Sequence, residues 1–362
     1  MSPDPRFSRR DFIKLSGLGL GALALGSKGS LLTQSHWQSE FPQSERLGRV
    51  VDELGTYINV RTRPSSDAPE AGQLAGDDVV PWLREVVGYT PYRNQRWVET
   101  PQGYVWAPLL QPVRNLLNTP LDTLTQTGSE PGMWMEVTVP YVVAQLANPS
   151  PLGFRMRFLA ENSLPIRFYY GQVWWADDIR NGDHGVEYHV RELHGSRGDH
   201  FWAPAQAFKP ILPEDIQAIS PQVENKRILI NIARQTMSCF EDGREVYFCR
   251  VSTGRFGEDT QTPVSENLQI FMKFVSTHME GGATGAGYDL SGIGWTTFIA
   301  AGGIAVHSTY WHNNFGERTS AGCVNVRPED AKFVFRWSAP HVPYQPGKLD
   351  QIAGSLVRVV ES

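Results

Sequence analysis

Short runs in which apolar and polar residues alternate recur along most of the chain, broken by Gly, Pro, Asn and Asp. Alternation with a period of two marks strands that bury one face. From Arg49 to Val113 the runs RVV, YINVRTRPSSDAP, DDVVPWLREVVG and RWVETPQGYVWAP follow one another between turn signals. They predict a small all-β barrel over residues 48–113. Residues 114–132, rich in Pro, Thr and Gly, read as a joint.

Beyond the joint, YVWAPLLQPV (104–113) is echoed by HFWAPAQAFKPI (200–211), and VVPWLREVVG (79–88) by QVWWADDIRNG (172–182). Such self-similarity predicts a second, elaborated copy of the first module over 133–212, with 213–223 as a further linker. Chance convergence of two β segments is the alternative.

KRILINIARQTMSCFEDGREVYFCRVSTGR then reads as strand, turn and strand, with Asp242-Gly243 as the turn. A two-residue loop there sets Cys239 opposite Val246 and Cys249 opposite Thr236, on opposite faces of the ribbon. That register disfavours a disulfide and makes both cysteines small buried hydrophobes. Further on, GGIAVH is an apolar strand ending at His307. In RPEDAKFVFRW, Pro328 suits the first helical position and Glu329 and Asp330 the first turn, while Ala331, Phe333, Val334 and Trp337 share a face. Cys323 therefore sits in the turn leading into a helix.

Glycine (34) and proline (25) are plentiful and helix-forming runs scarce, so composition agrees with a mainly β fold. At 41% hydrophobic and 20% charged the chain has the balance of a soluble globular protein. A net charge of −5 without a basic stripe speaks against nucleic acid. Three cysteines without a C-x-x-C spacing make neither a disulfide framework nor a zinc ribbon.

The first residues contain FSRRDFIKLSGLGLGALALGS, in which Arg9 and Arg10 precede an apolar stretch from Leu15 to Gly26 too short to span a bilayer comfortably. The layout resembles a twin-arginine export signal over residues 1–30, followed by a linker over 31–47. It places the working domains outside the cytoplasm, in the cell envelope, with membrane contact only through an uncleaved anchor. An amphipathic first helix is the alternative, and the Gly-Leu-Gly-Leu-Gly texture is poor for one.

The chemistry concentrates in GGIAVHSTYWHNNFGERTSAGCVNV. A cysteine becomes a nucleophile where a histidine or a helix N-terminus favours its thiolate. His307 at the end of a strand is a rigidly held base, and the N–H groups of Gly322 and Cys323 suit a developing oxyanion. The small residues Ser320, Ala321 and Gly322 leave room for a carbonyl. A buried structural cysteine beside a core histidine is the alternative that spacing alone leaves open. So is His312 as the base. His307, His312 and Cys323 are also zinc-ligand types, without a fourth. His278 contacts substrate or solvent, and His184, His189, His194 and His200 read as surface or packing residues.

Two resemblances sharpen this. INVRTRPSSDAPEAGQLAGDDV followed by RWVETPQGYVWAPLL resembles a bacterial SH3-like domain. His307, followed after an interval by Ser320-x-Gly322-Cys323-x-Asn325, resembles the signature of the L,D-transpeptidase (YkuD-like) catalytic domain, and TPVSENLQIFMKF and HMEGGATGAGYDLSGIGWTTFI resemble its strand and its active-site loop. The resemblance covers 224–345, leaving 346–362 as a C-terminal strand or tail. It implies one or two SH3-like barrels followed by a β-sandwich with a short helix after the cysteine. It also implies that Cys323 attacks the L,D-peptide bond of a peptidoglycan stem tetrapeptide, His307 relays the proton and the Ser308 carbonyl orients the ring. A diamino-acid amine on a neighbouring stem then takes the acyl group. Tyr288, Trp295, Tyr310, Ser320 and Asn325 would line the pocket, with no cofactor or metal, in a monomer. Ala321 stands where the family usually has a second histidine. An L,D-carboxypeptidase and a wall-binding protein with a decayed centre are the competing functions.

Overall fold

The computed structural model describes residues 41–51, 57–125, 131–183, 185–257, 260–281, 288–350 and 353–361. The segment read as an export signal and His184 lie outside them.

In the first module the strands are β1 (Leu47–Val50), β2 (Tyr57–Arg61), β3 (Glu70–Ala75), β4 (Val79–Pro81), β5 (Arg84–Val87), β6 (Arg96–Thr100), β7 (Gly103–Trp106) and β8 (Leu110–Val113). They form two sheets, ordered β3-β2-β7-β6-β5 and β4-β1-β8. Val50, Val60, Trp82, Val98, Val105 and Leu110 fill the space between them.

The second module contains β9 (Met133–Val137), β10 (Tyr141–Leu146), helix α1 (Phe154–Glu161), β11 (Ile166–Tyr169), β12 (Val173–Gly182), β13 (Gly185–Arg191), β14 (His200–Pro204) and β15 (Phe208–Ile211). Its seven strands make one sheet, β11-β10-β14-β13-β12-β9-β15. Strand for strand this is the order of the first module, with β4 and β5 replaced by the single long β12, which carries a bulge between Ala176 and Asp178. The echoed segments share one local form, a strand, a 3₁₀ turn and a strand: Ala107–Leu109 in one and Ala205–Ala207 in the other. The turns lie two residues out of step with the shared Trp-Ala-Pro, so the Pro-x pairs Pro112-Val113 and Pro210-Ile211 mark the equivalence better.

The C-terminal part is a two-sheet sandwich. Its strands are β16 (Lys226–Asn231), β17 (Thr236–Glu241), β18 (Arg244–Arg250), β19 (Ser265–Gln269), β20 (Met272–Gly281), β21 (Tyr288–Ala300), β22 (Ile304–Ser308), β23 (Val324–Val326), β24 (Lys348–Leu349) and β25 (Leu356–Val360), with helix α2 (Pro328–Trp337). One sheet runs β18-β17-β16-β25-β19 and the other β23-β22-β21-β20-β24. The last strand is thus not a tail. β25 lies inside the first sheet, parallel to β16 and antiparallel to β19.

The Asp242-Gly243 turn forms with positive φ at both residues, and Glu241 faces Arg244. A bulge between Cys239 and Phe240 then shifts the register by one, so Cys239 faces Tyr247 and Cys249 faces Met237. The expected pairing with Val246 and Thr236 is therefore corrected. Both cysteines lie on one face, buried in the core, and both are free. A bulge adds one residue to one strand and reverses the faces beyond it.

Helix α2 covers the sandwich with Ala331, Val334, Phe335 and Trp337. Its C-terminal carbonyls are held by two lysines, of which burial pushes Lys273 down to about 7. Lys273 Nζ, fully buried, donates to the carbonyls of Phe335 at 2.5 Å, Ser338 at 2.8 Å and Pro340 at 2.9 Å. Lys226 Nζ donates to the Trp337 carbonyl at 2.8 Å. Cations suit this end of a helix, where carbonyls lack partners. Trp134, Val173 and Trp175 of the second module belong to the same core as the sandwich, so the two pack as one body.

Candidate active site

β22 and β23 run parallel, with Val306 opposite Val324, His307 opposite Asn325 and Ser308 opposite Val326. Cys323 lies one step before this ladder. Side chains two apart share a face, so Cys323 and Asn325 share one face of β23.

The local turn depends on glycine at 322. Its φ is +125°, and a Cβ there would lie 2.6 Å from Ile304 Cδ1. Its carbonyl accepts from Thr262 Oγ1 at 2.7 Å, and the same hydroxyl accepts from the Gly254 N–H at 2.9 Å. Thr262 opens the TPVS motif, so that motif supports the cysteine turn directly.

His307 is 2% exposed and its ring stacks on Trp311. Its Nδ1–H donates to the Ser308 carbonyl at 2.9 Å. Its Nε2 accepts from Asn325 Nδ2 at 3.0 Å. The Asn325 Oδ1 in turn lies 3.1 Å from His312 Nε2. The Asn314 N–H donates to His312 Nδ1 at 3.2 Å, so His312 carries its proton on Nε2. The donors then run one way, from His312 to Asn325 to His307 to Ser308. Burial pushes the pKa of His307 down to about 4, and that of His312 likewise to about 4. Both rings are neutral near pH 7.

The Cys323 thiol is half-buried and donates to the Gly303 carbonyl at 3.5 Å. Burial pushes it up to about 11, against the pull of the Ala305 backbone. Among the described residues no hydrogen bond joins it to His307. The resting pair is a neutral thiol and a neutral imidazole whose free nitrogen is occupied by Asn325. His312 is not placed to serve as the base for Cys323, because it reaches the centre only through Asn325.

The other expected site residues divide. The Gly322 N–H is not free for an oxyanion: it donates to Ser320 Oγ at 3.1 Å, and that hydroxyl donates to the Cys323 carbonyl at 2.5 Å. Ser320 thus stiffens the turn. Tyr288 is 43% exposed, and its hydroxyl is raised by burial and by the neighbouring Cys323 thiol. Trp295 is corrected: it is fully buried, edge-on to Phe335 with Lys332 over its face, so its side chain offers no exposed surface to a ligand. Tyr310, 8% exposed, lines a small cleft with Arg155, Tyr169 and Ser291. It stacks on Tyr169 of the second module, and its hydroxyl donates to the Ser291 carbonyl at 3.3 Å.

Two features have no local sequence signal. Trp311 backs the His307 ring. The carboxylates of Glu192 and Asp289 flank His278 at 2.9 and 3.0 Å. Burial works against the His278 charge, but these two partners hold its pKa up at about 10. The imidazolium therefore ties the β20–β21 hairpin to the second module. Finally, His307, His312 and Cys323 are not close enough to share an ion. Among the described residues the one such set is His278, Glu280 and Asp289, where Glu280 already pairs with Arg197. His189 and His200 pair with each other in the second module at 2.6 Å.

Residues 225–345 match the family model of the L,D-transpeptidase catalytic domain, YkuD. No curated protein sequence matches the chain. Solved structures similar to it include an Enterococcus faecium L,D-transpeptidase C442S mutant, at 21% identity over 41% of this chain and 55% of that one, TM-score 0.30. An L,D-transpeptidase from Mycobacterium smegmatis is 19% identical over 67% of this chain and 99% of that one, TM-score 0.31. L,D-transpeptidase 3 from Mycobacterium tuberculosis, in complex with a faropenem-derived adduct, is 19% identical over 68% and 98%, TM-score 0.29. The chain thus spans about half the length of the enterococcal protein.

Proposed function

With residues 225–345 as an L,D-transpeptidase catalytic domain, we propose that the chain is an exported cysteine acyltransferase that makes or remodels peptidoglycan crosslinks. The observation that carries this reading is the placement of the anchored His307 on β22 and of the half-buried Cys323 in the turn that leads directly into the adjacent parallel strand β23, within the matched segment.

The Cys323 sulfur attacks the carbonyl of the L,D bond between the third and fourth residues of a stem tetrapeptide. The thiol proton passes to His307 Nε2, once Asn325 has released that nitrogen. The S–C bond forms, and the C–N bond breaks as His307 returns the proton to the departing D-amino acid. An amine of a neighbouring stem then attacks the thioester, loses a proton through His307, and releases the sulfur. The Ser308 carbonyl stabilises the transient imidazolium through Nδ1. The export signal, the monomeric state and the binding of wall polymers by the SH3-like modules belong to the same proposal.

One observation favours a second reading, a wall-binding protein with an impaired centre: the Cys323 thiol rests on Gly303 and His307 rests on Asn325. Mass spectrometry of the purified protein after incubation with a carbapenem separates the two. A covalent adduct that disappears in Cys323→Ala supports the enzyme; folded protein with no adduct supports the impaired centre. Product analysis with a tetrapeptide donor, with and without an acceptor amine, separates crosslinking from trimming by an L,D-carboxypeptidase. Replacing Arg9 and Arg10 with Lys tests the export route: normal export of that variant rules out the twin-arginine pathway.

A further inference from the structure

Where the first module, the second module and the sandwich meet lies a cavity of about 750 Å³. Its walls hold Arg46 and Arg114 from the first module's borders and Arg327 from the residue before α2. None of the three forms an ion pair among the described residues, although the Arg46 guanidinium lies over the Trp82 ring at 4.3 Å and that of Arg327 over Phe315 at 5.8 Å. Arg46 is lowered by burial and then, partly against Glu85, by the charges of Arg327, Arg96 and Arg114. Two buried polar groups on the same walls also lack hydrogen-bond partners among the described residues. They are the indole Nε1 of Trp82, 3% exposed, and the hydroxyl of Thr309, 2% exposed.

Buried donors without partners are costly unless a ligand completes them, and three guanidinium groups grouped around the same space favour one rich in acceptors and negative charge. Guanidinium forks match carboxylates in particular. Trp82, Tyr170 and Phe315 share the lining with the three guanidinium groups. A lining both cationic and aromatic suits carboxylates on a partly apolar body better than one compact ion. Glu45 and Glu329 on the same lining provide for a ligand amine. The volume is within the usual range for a bound organic ligand, roughly 300–1,000 Å³.

We propose that this cavity is a second binding site, for a short acidic peptide that also carries an amine, the chemistry of a peptidoglycan stem. The site needs no reactive Cys323, so its fate is separate from that of the acyl-transfer reading. His312 also lines it, so a bound ligand lies beside the hydrogen-bonded chain that ends at His307.

Calorimetric titration of the whole protein tests this with three probes: an Ala–γ-D-Glu–diaminopimelate tripeptide, its fully amidated form and inorganic phosphate. The tripeptide is expected to bind, the amidated form at least about tenfold more weakly, and phosphate more weakly than the tripeptide. In Arg46→Ala/Arg114→Ala tripeptide binding falls at least about tenfold, while carbapenem adduct formation at Cys323 is unchanged. On the unaltered protein, the Trp82 indole N–H resonance shifts on adding tripeptide. Three results would each overturn the proposal: no tripeptide binding to folded protein, binding that the double variant leaves intact, or phosphate binding tighter than the tripeptide.

Discussion

Asn325 stands directly opposite His307 across two parallel strands and places its Nδ2 3.0 Å from the ring nitrogen that the reaction needs. The ring does not depend on this contact for its position. Ser308 holds Nδ1 and Trp311 covers a face. Asn325 therefore occupies the base more than it orients it. A neutral hydrogen bond of this kind is worth about 0.5–1.5 kcal/mol net. Asn325→Ala is expected to speed alkylation of Cys323 by iodoacetamide by roughly two- to tenfold at pH 7. A tenfold slowing would show instead that Asn325 positions the ring.

The pH dependence of acylation follows from the two neutral partners. With the thiol pushed up to about 11 and His307 down to about 4, the reactive pair keeps one protonation state across the neutral range. The carbapenem adduct should form at a nearly constant rate from about pH 5.5 to 8, and slow toward pH 4 as His307 takes up a proton. An inflection near pH 6.5, or a tenfold rise per unit above pH 7, would mean an exposed histidine or a free thiolate pathway.

Buried histidines should tilt folding stability with pH in two opposed directions. His307 and His312 stay neutral in the fold down to about 4, whereas the unfolded chain protonates them near 6.5. The unfolded state then holds more protons between those values, so stability is lost as pH falls from 6.5 to 4. His278 has the opposite sign. Its folded pKa is raised to about 10 by its carboxylate partners, so its contribution is full below 6.5 and is lost as pH rises toward 10. Above pH 7 Lys273, which burial pushes down to about 7 in the fold, gains stability and offsets His278, so urea denaturation across pH 4–10 is compared between variants. His312→Gln keeps an N–H for Asn325 and should reduce the acid slope by about one proton, or 1.4 kcal/mol per pH unit. His278→Gln should make the slope between pH 7 and 10 more positive by about one proton. Unchanged slopes in both variants would remove these histidines as the cause.

Much of this arrangement was legible in the chain. Asp242-Gly243 and Pro328 each fixed an element through a local backbone requirement, a positive-φ turn and a helix start, so they read directly from residue types. The repeat was visible because two modules share one strand order. What stayed hidden depended on distant parts. The bulge at Cys239 reverses the faces of β17 and β18 without a local signal, and β25 joins the first sheet from the far end of the chain. Trp295 reads as a pocket aromatic in the sequence because only the packed α2 shows that its surface is already covered, and Tyr310 faces a small cleft against Tyr169 of the second module. The Asn325 contact with His307 was likewise invisible, since it depends on parallel pairing of two strands whose residues are far apart in sequence.

Gly322 gives the sharpest test of how the cysteine turn is built. Its backbone conformation is one that side-chain-bearing residues rarely adopt, and an added Cβ would press on Ile304 Cδ1 at 2.6 Å. Relief by backbone rotation would break the bonds from its N–H to Ser320 and from Thr262 to its carbonyl. Gly322→Ala is therefore expected to cost about 1–3 kcal/mol in denaturant unfolding. Because the displaced turn carries Cys323, it should also slow carbapenem adduct formation by at least about tenfold in protein that remains folded. Thr262→Val removes only the hydroxyl beneath the turn and should produce the same two losses to a smaller degree, about 1 kcal/mol in stability. Wild-type adduct rates in both variants, with folding intact, would show that the sulfur does not depend on this turn for its position.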